Sequence, residues 1–184
     1  MKNVLWIALL LLSLVACRED DEGMLRYEND GEAEVLLNGE LWSPQIARAA
    51  TEECFENRIG IVLEYYNDAG IRNKSLSIAN IPLADARYVI QDLPLTGQSC
   101  SQDIVYGLFS LPIGDGDIVG DYYTPIKDAN NYITITSYDT RKREIRGTFE
   151  ISLAYNELEG YGRKVLDAPD TVRFTEGEFR IVLD

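Results

Sequence analysis

The chain has 184 residues, of which 46% are hydrophobic and 26% charged, as is typical of one globular domain. Its 31 acidic and 17 basic side chains give a formal net charge of −14, which disfavours binding to nucleic-acid phosphates. Histidine is absent, and this excludes Ser-His-Asp and Cys-His nucleophile systems as well as histidine-ligated zinc or haem.

The N-terminus has the pattern of an export signal. Lys2 precedes an apolar run over residues 4–15, which is shorter than the ~20 residues that a membrane-spanning helix needs. The residues that follow, Leu14-Val15-Ala16-Cys17, resemble the bacterial lipobox. We therefore predict a signal peptide over residues 1–16 and lipidation at Cys17, whose palmitate-type acyl chains would anchor the protein to the outer membrane. The alternative is a plain secretory signal.

An acidic segment follows the predicted lipidation site. Eight carboxylates and two arginines lie between Arg18 and Glu34, and such a segment has too few apolar groups to fold. We expect a lipidated tether over residues 17–32. Its first residues, Cys17-Arg18-Glu19-Asp20-Asp21-Glu22, resemble the signal that marks surface-exposed lipoproteins of the Bacteroidetes, which implies display at the cell exterior. A spacer that faces the periplasm is the alternative.

The remaining cysteines, Cys54 and Cys100, form an even pair. In an oxidising compartment we expect them to form a disulfide bond, and closing a loop of this length contributes about 4 kcal/mol in the chain-entropy model. Two thiols without a histidine are too few ligands for a metal site. Two free thiols are the alternative.

From residue 33 onward the apolar residues alternate with a period of two, which indicates half-buried β-strands. Asn38-Gly39 favours a type I′ turn in a tight hairpin. The predicted strands are Ala33–Leu37, Glu40–Ser43, Arg58–Tyr66, Lys74–Ile78, Ala86–Gln91, Ile104–Leu111, Ile118–Tyr123, Tyr132–Thr136, Glu144–Leu153, Thr171–Thr175 and Glu178–Leu183. We also expect a helical turn near Pro82–Ala86 and a long loop over Asn156–Asp170.

About ten short strands without internal repeats predict a single domain over residues 33–184. The fold class expected is all-β, an antiparallel β-sandwich. A closed or partly open β-barrel is the alternative, because strand number does not distinguish two packed sheets from one sheet that closes on itself.

Several short motifs resemble an uncharacterised family of Bacteroidetes lipoproteins. They are the Val-x-Leu-Asn-Gly-x-x-Trp segment from Val35 to Trp42, the strand Tyr132–Thr136, the Gly147-Thr148-Phe149 strand and the segment from Val172 to Phe179. The resemblance implies a secreted, lipid-anchored, all-β domain, and it carries no assigned activity.

Two patterns invite a functional interpretation. Asp115, Asp117 and Asp121 are spaced like calcium-loop positions one, three and seven, but position five is Val119 and position twelve is Ile126, where a bidentate Glu is needed. We therefore expect a solvated turn, and neither a metal site nor a cofactor.

Tyrosine provides the second pattern. Tyr132, Thr134, Thr136 and Tyr138 alternate along one strand and are expected to share a face. Tyr132 and Tyr138 are candidates for ligand binding, because exposed aromatic rings suit stacking on sugars. The alternative is that tyrosine and threonine are present because they favour strands.

Taken together, these features predict a lipid-anchored outer-membrane protein, exposed at the cell surface, whose β-sandwich acts as a binding or structural module without enzymatic activity. The alternatives are a glycan-binding lipoprotein and a carboxylate-dependent hydrolase. The 31 acidic residues single out no catalytic pair. The expected partners are the membrane, through the lipid anchor, and a glycan or protein ligand, but not nucleic acid.

Overall fold

A computed structural model describes residues 30–52, 57–92, 103–157 and 162–183. Over these ranges the chain forms eleven β-strands and no helix, which confirms the prediction of an all-β fold. The strands are β1 (Gly31–Leu37), β2 (Glu40–Trp42), β3 (Ile46–Thr51), β4 (Arg58–Tyr66), β5 (Arg72–Pro82), β6 (Ala86–Gln91), β7 (Val105–Ile113), β8 (Ile118–Pro125), β9 (Tyr132–Asp139), β10 (Glu144–Asn156) and β11 (Thr171–Val182).

The strands form one sheet in the order β2-β1-β11-β10-β9-β6-β7-β5-β4-β3, and β8 pairs with both β7 and β10. Ten of the eleven pairings are antiparallel, whereas β6 and β7 pair in parallel. The sheet is therefore mixed rather than purely antiparallel. An isolated bridge between Ala49 and Leu183 brings β3 to the end of β11, and the fold is sandwich-like.

The core consists of the alternating apolar side chains that the sequence pattern predicts. In β10, Ile145, Phe149, Ile151 and Leu153 are buried in the hydrophobic core, while Arg146 between them faces solvent. Each such side chain stabilises the fold by roughly 1.5–3 kcal/mol relative to an exposed one. The period of two thus determines which face of the strand meets the core.

The predicted hairpin at Asn38-Gly39 is confirmed. Both residues have positive φ, 54° and 86°, as a type I′ turn requires. The Asn38 N–H donates to the Arg173 carbonyl, and the Arg173 N–H donates to Oδ1 of Asn38, each over 2.8 Å. These two bonds dock the turn on β11 and help to position Trp42 in the core.

Several details differ from the prediction, and many strand ends are displaced by a few residues. Strand β3 was not predicted, because alanine is a weak strand former and this segment is rich in it. The strand is stabilised by its pairing with β4 and by the burial of Ala47 and Ala49. Residues 83–85 form a bend, not a helical turn. The last two predicted strands form the single strand β11, and β1 begins at Gly31, two residues before the predicted start.

The Gly147-Thr148-Phe149 motif has a packing explanation. A Cβ on Gly147 would lie 2.8 Å from Cε1 of Phe179 and closer still to the main-chain oxygen of Thr134. No side chain fits at that position without moving backbone. Glycine therefore lets the Phe179 ring lie across β10.

We predict that Gly147→Ala lowers the free energy of unfolding by about 1–3 kcal/mol, because the added methyl group overpacks a region bounded by backbone. Urea unfolding of the mature chain would measure the loss. Thr148→Ala, on the opposite side of the same strand, is the matched control. Equal stability of the two variants would contradict the close packing at Gly147.

Candidate functional site

A row of aromatic rings lies beneath one end of the sheet. The ring centroids of Trp42 and Phe174 are 5.5 Å apart, those of Phe174 and Phe109 are 5.2 Å apart, and those of Phe109 and Tyr123 are 5.6 Å apart. The rings are tilted or edge-on to one another, and each such pair contributes about 0.5–1.5 kcal/mol beyond its burial. The row gives this end of the molecule a rigid apolar base.

A cleft of about 650 Å³ lies at this end of the sheet, within the range of small-molecule sites. We call it the end cleft. The β1–β2 hairpin lines one side with Leu41 and Trp42, and Asn73 and Lys74 of β5 line another. Residues 165–169 of the connection between β10 and β11 complete its wall.

The wall formed by residues 165–169 is anchored by a buried carboxylate. Asp121 is 1% exposed and accepts hydrogen bonds from the N–H groups of Lys164 and Val165, over 2.6 and 3.3 Å. The Tyr123 hydroxyl donates to the Pro169 carbonyl over 2.9 Å. Charge-assisted bonds to buried main chain are among the stronger hydrogen bonds in proteins, so this wall has a defined position.

Two polar atoms at the end cleft are buried without a partner. Within the described ranges, neither Nε1 of Trp42 nor Oδ1 of Asn73 makes a hydrogen bond. Burying such an atom without a partner costs about 1–3 kcal/mol, and native structures contain few of them. Trp42 and Asn73 both line the end cleft, so its wall contains one buried donor and one buried acceptor without a partner among the described residues.

Two exposed leucines line the end cleft. Leu41 is 70% exposed and Leu166 is 90% exposed, and both line the cleft. A single exposed leucine is ordinary, but two beside a concave surface that holds unpartnered polar atoms are typical of a binding site. We therefore take the end cleft as the candidate site.

A carboxyl group with a lowered pKa lies elsewhere, on the outer face of β10. Glu144 lies between two guanidinium groups, with Nη2 of Arg146 at 2.8 Å and Nη2 of Arg180 at 2.7 Å. Hydrogen bonds from Arg180 and then Arg146 lower the pKa of Glu144 to about 2. A general acid in glycoside hydrolysis needs a raised pKa instead, so this cluster supports a structural role.

A second charged cluster ties a turn to the sheet. The buried Glu64 accepts bonds from Nη1 of Arg72 at 2.8 Å and from the Tyr66 hydroxyl at 3.0 Å. Burial and the neighbouring Glu64 raise the pKa of Tyr66 to about 12. Arg72 also donates to the Gly116 carbonyl over 2.9 Å, which holds the β7–β8 turn against β5.

The aspartates with partial calcium-loop spacing separate into two environments. Asp115 and Asp117 are in the turn before β8, whereas the buried Asp121 anchors the end-cleft wall. Over the ranges that the structure describes, no group of three His, Cys, Asp or Glu side chains is placed to hold a metal ion.

The expectation that Tyr132 and Tyr138 share a face is wrong. Ser137 pairs with Arg146, and Ile135 pairs with the next residue of β10, Gly147. Thr136 between them therefore has no pairing partner in β10 and is an extra residue of β9. This bulge turns Tyr138 toward the core, opposite Ile145. Tyr132 is on the outer face, where the Arg87 guanidinium covers its ring at 3.6 Å. The two rings therefore do not form one platform.

Cys17, Cys54 and Cys100 lie outside the described residues, so lipidation and the disulfide bond stay predictions. Among the described residues, Arg58 contacts Asp103, and Nδ2 of Asn80 donates to the Ile104 carbonyl over 2.7 Å. In the described part of the chain, no helix has the length and apolarity to span a bilayer.

We predict that Glu144→Gln destabilises the fold at neutral pH and weakens its dependence on acid. Because the pKa of Glu144 in the folded state, about 2, lies below the ordinary 4.5, its stabilisation is fully present above about pH 4.5 and is lost as the pH falls toward 2. Urea unfolding at several pH values would measure this. Glu34→Gln, at an exposed position of β1, is the control, and identical pH profiles for the two variants would contradict the prediction.

Comparison of the chain with protein-family models, with curated proteins and with solved structures found no match. The resemblance to Bacteroidetes lipoproteins stays a prediction. The candidate site therefore rests on the geometry of the end cleft itself.

Proposed function

We propose that the protein is a lipid-anchored binding protein of the outer membrane, displayed at the cell surface, in which the end cleft takes the ligand. The observation that carries this proposal is a concave surface lined by two exposed leucines, whose wall also contains an unpartnered donor on Trp42 and an unpartnered acceptor on Asn73. A ligand that covers the leucines would recover part of the free energy that their exposure costs.

The direction of β1 supports this proposal. The predicted tether joins the domain at Gly31, and the end cleft lies at the other end of β1, beyond Leu37. Seven residues of strand extend about 20 Å. In an anchored protein the tether would therefore enter at the membrane side, and the cleft would lie at the distal end, accessible to a ligand in solution.

The anchor is tested with the full chain and its Cys17→Ala variant, expressed in a bacterium that processes lipoproteins. We expect the wild-type protein in the outer-membrane fraction, with acyl groups detectable by mass spectrometry, because acylation at Cys17 provides the membrane affinity. The variant should lose both properties.

Protease treatment of intact cells tests display separately. Digestion of the wild-type domain would support an exterior position, whereas complete protection with normal membrane fractionation would contradict surface display and leave the anchor intact.

Ligand binding is tested by the fluorescence of Trp42, the only tryptophan after the predicted signal peptide. The sample is the mature chain carrying Cys17→Ser, which retains every described residue, and the panel contains peptides, neutral oligosaccharides and fatty acids. We expect one class to change the Trp42 emission and to raise the melting temperature.

In the same assay, Leu166→Asp should weaken binding about tenfold or more, because burying a leucine contributes roughly 1.5–3 kcal/mol. Val89→Asp is the matched control, because Val89 is an exposed apolar residue of β6 that does not line the cleft. A panel without any response, or equal effects of the two variants, would contradict binding at this site.

A further inference from the structure

Strand β2 has a free edge. It pairs with β1 through Leu37 with Glu40, Leu36 with Leu41 and Val35 with Trp42. In a hairpin with a two-residue turn, the pair beside the turn, Leu37 with Glu40, exchanges main-chain hydrogen bonds. Hydrogen-bonded and non-hydrogen-bonded pairs alternate along an antiparallel ladder, so the next pair, Leu36 with Leu41, exchanges none. The N–H and C=O of Leu41 therefore point away from β1. Within the described ranges no strand pairs with that side of β2.

This free edge belongs to the wall of the end cleft. Leu41 and Trp42 line one side, and Asn73 lines another. The cleft thus presents the outward main-chain donor and acceptor of Leu41 beside a wall that contains the buried, unpartnered atoms of Trp42 and Asn73. An extended peptide presents N–H and C=O groups at every residue and can pair with Leu41, as in strand addition to a sheet edge.

The charges and the apolar surface restrict the peptide further. The carboxylates of Glu40 and Asp167 outnumber the ammonium of Lys74 around the cleft. This balance complements a neutral or basic ligand and disfavours fatty acids and acidic polysaccharides. The exposed Leu41 and Leu166 provide apolar contact for a side chain of the peptide. The predicted tether is acidic, so the same excess of carboxylates disfavours it as the occupant.

We propose that the end cleft takes an extended, neutral or basic peptide segment, which adds as a strand to the free edge of β2 and places an apolar side chain beside Leu41 and Leu166. This inference rests on the proposed binding function of the cleft and names the chemical class of the ligand.

The first test uses a displayed library of random twelve-residue peptides, selected on the mature chain carrying Cys17→Ser. An enriched peptide is then synthesised with single backbone N-methyl groups at successive positions, and binding is measured by calorimetry and Trp42 fluorescence. Alternate N–H groups of a strand face its partner. We therefore expect N-methylation to weaken binding tenfold or more at the one position whose N–H donates to the Leu41 carbonyl, and much less at the positions on either side of it.

The second test changes the protein. Leu41→Pro and Leu41→Ala both remove the leucine side chain, but only proline removes the main-chain N–H. Proline is tolerated on an edge strand when its N–H side faces away from the partner. We expect Leu41→Pro to bind the peptide at least tenfold more weakly than Leu41→Ala, with both variants folded by circular dichroism. If Leu41→Pro does not fold, the N-methyl series still decides the question.

Other outcomes would overturn the inference. Peptide binding that is insensitive to every N-methyl group would exclude strand addition. A wild-type dimer in sedimentation that Leu41→Pro dissociates would identify a second copy of the chain as the occupant. An oligosaccharide or fatty acid that changes Trp42 emission when no peptide does would overturn the peptide assignment and leave the proposed function standing, whereas silence across the whole panel would contradict both.

Discussion

The docking of the Asn38-Gly39 turn on β11 is the interaction on which the candidate site depends. Two hydrogen bonds between Asn38 and Arg173 link residues that are 135 positions apart. They help to fix where β2 leaves the sheet, and the burial of Trp42 follows from that path. The same geometry leaves the outer edge of β2 beside the cleft. One local turn thus helps to form both the aromatic base of the site and its main-chain edge.

The opposite wall of the end cleft depends on a different kind of contact. Asp121 is almost fully buried, and its carboxylate is stabilised by main-chain N–H groups of the β10–β11 connection. Removing the partners of a buried charge is costly, so the connection is held in place even though Leu166 within it is exposed. Two segments that are each anchored to the sheet therefore bound the cleft. One is the edge strand β2, and the other is the irregular segment of residues 165–169.

The sequence pattern predicted most strands, because alternation in segments such as Glu144–Leu153 reports directly on which side chains are buried. It could not predict β3, whose alanines form a strand through pairing with β4. The pattern also predicted the wrong face for Tyr138. The bulge at Thr136 arises where β9 pairs with β10, and the sequence of β9 alone does not show it. The candidate site was missed for a related reason: Trp42 and Asn73 line one cleft only because long-range strand pairing brings β2 and β5 to the same end of the sheet.

The attachment of the predicted tether at Gly31 has a mechanical consequence. Residues Gly31–Leu37 run along β11 from the tether end to the end cleft, with six residue pairs between the two strands. If a ligand held at the cleft were pulled away from an anchored lipid, the tension would act along β1. The load would then shear the whole β1–β11 ladder instead of opening its bonds one at a time. A short hydrogen-bonded strand would thus serve as the force-bearing link between the membrane and the bound ligand.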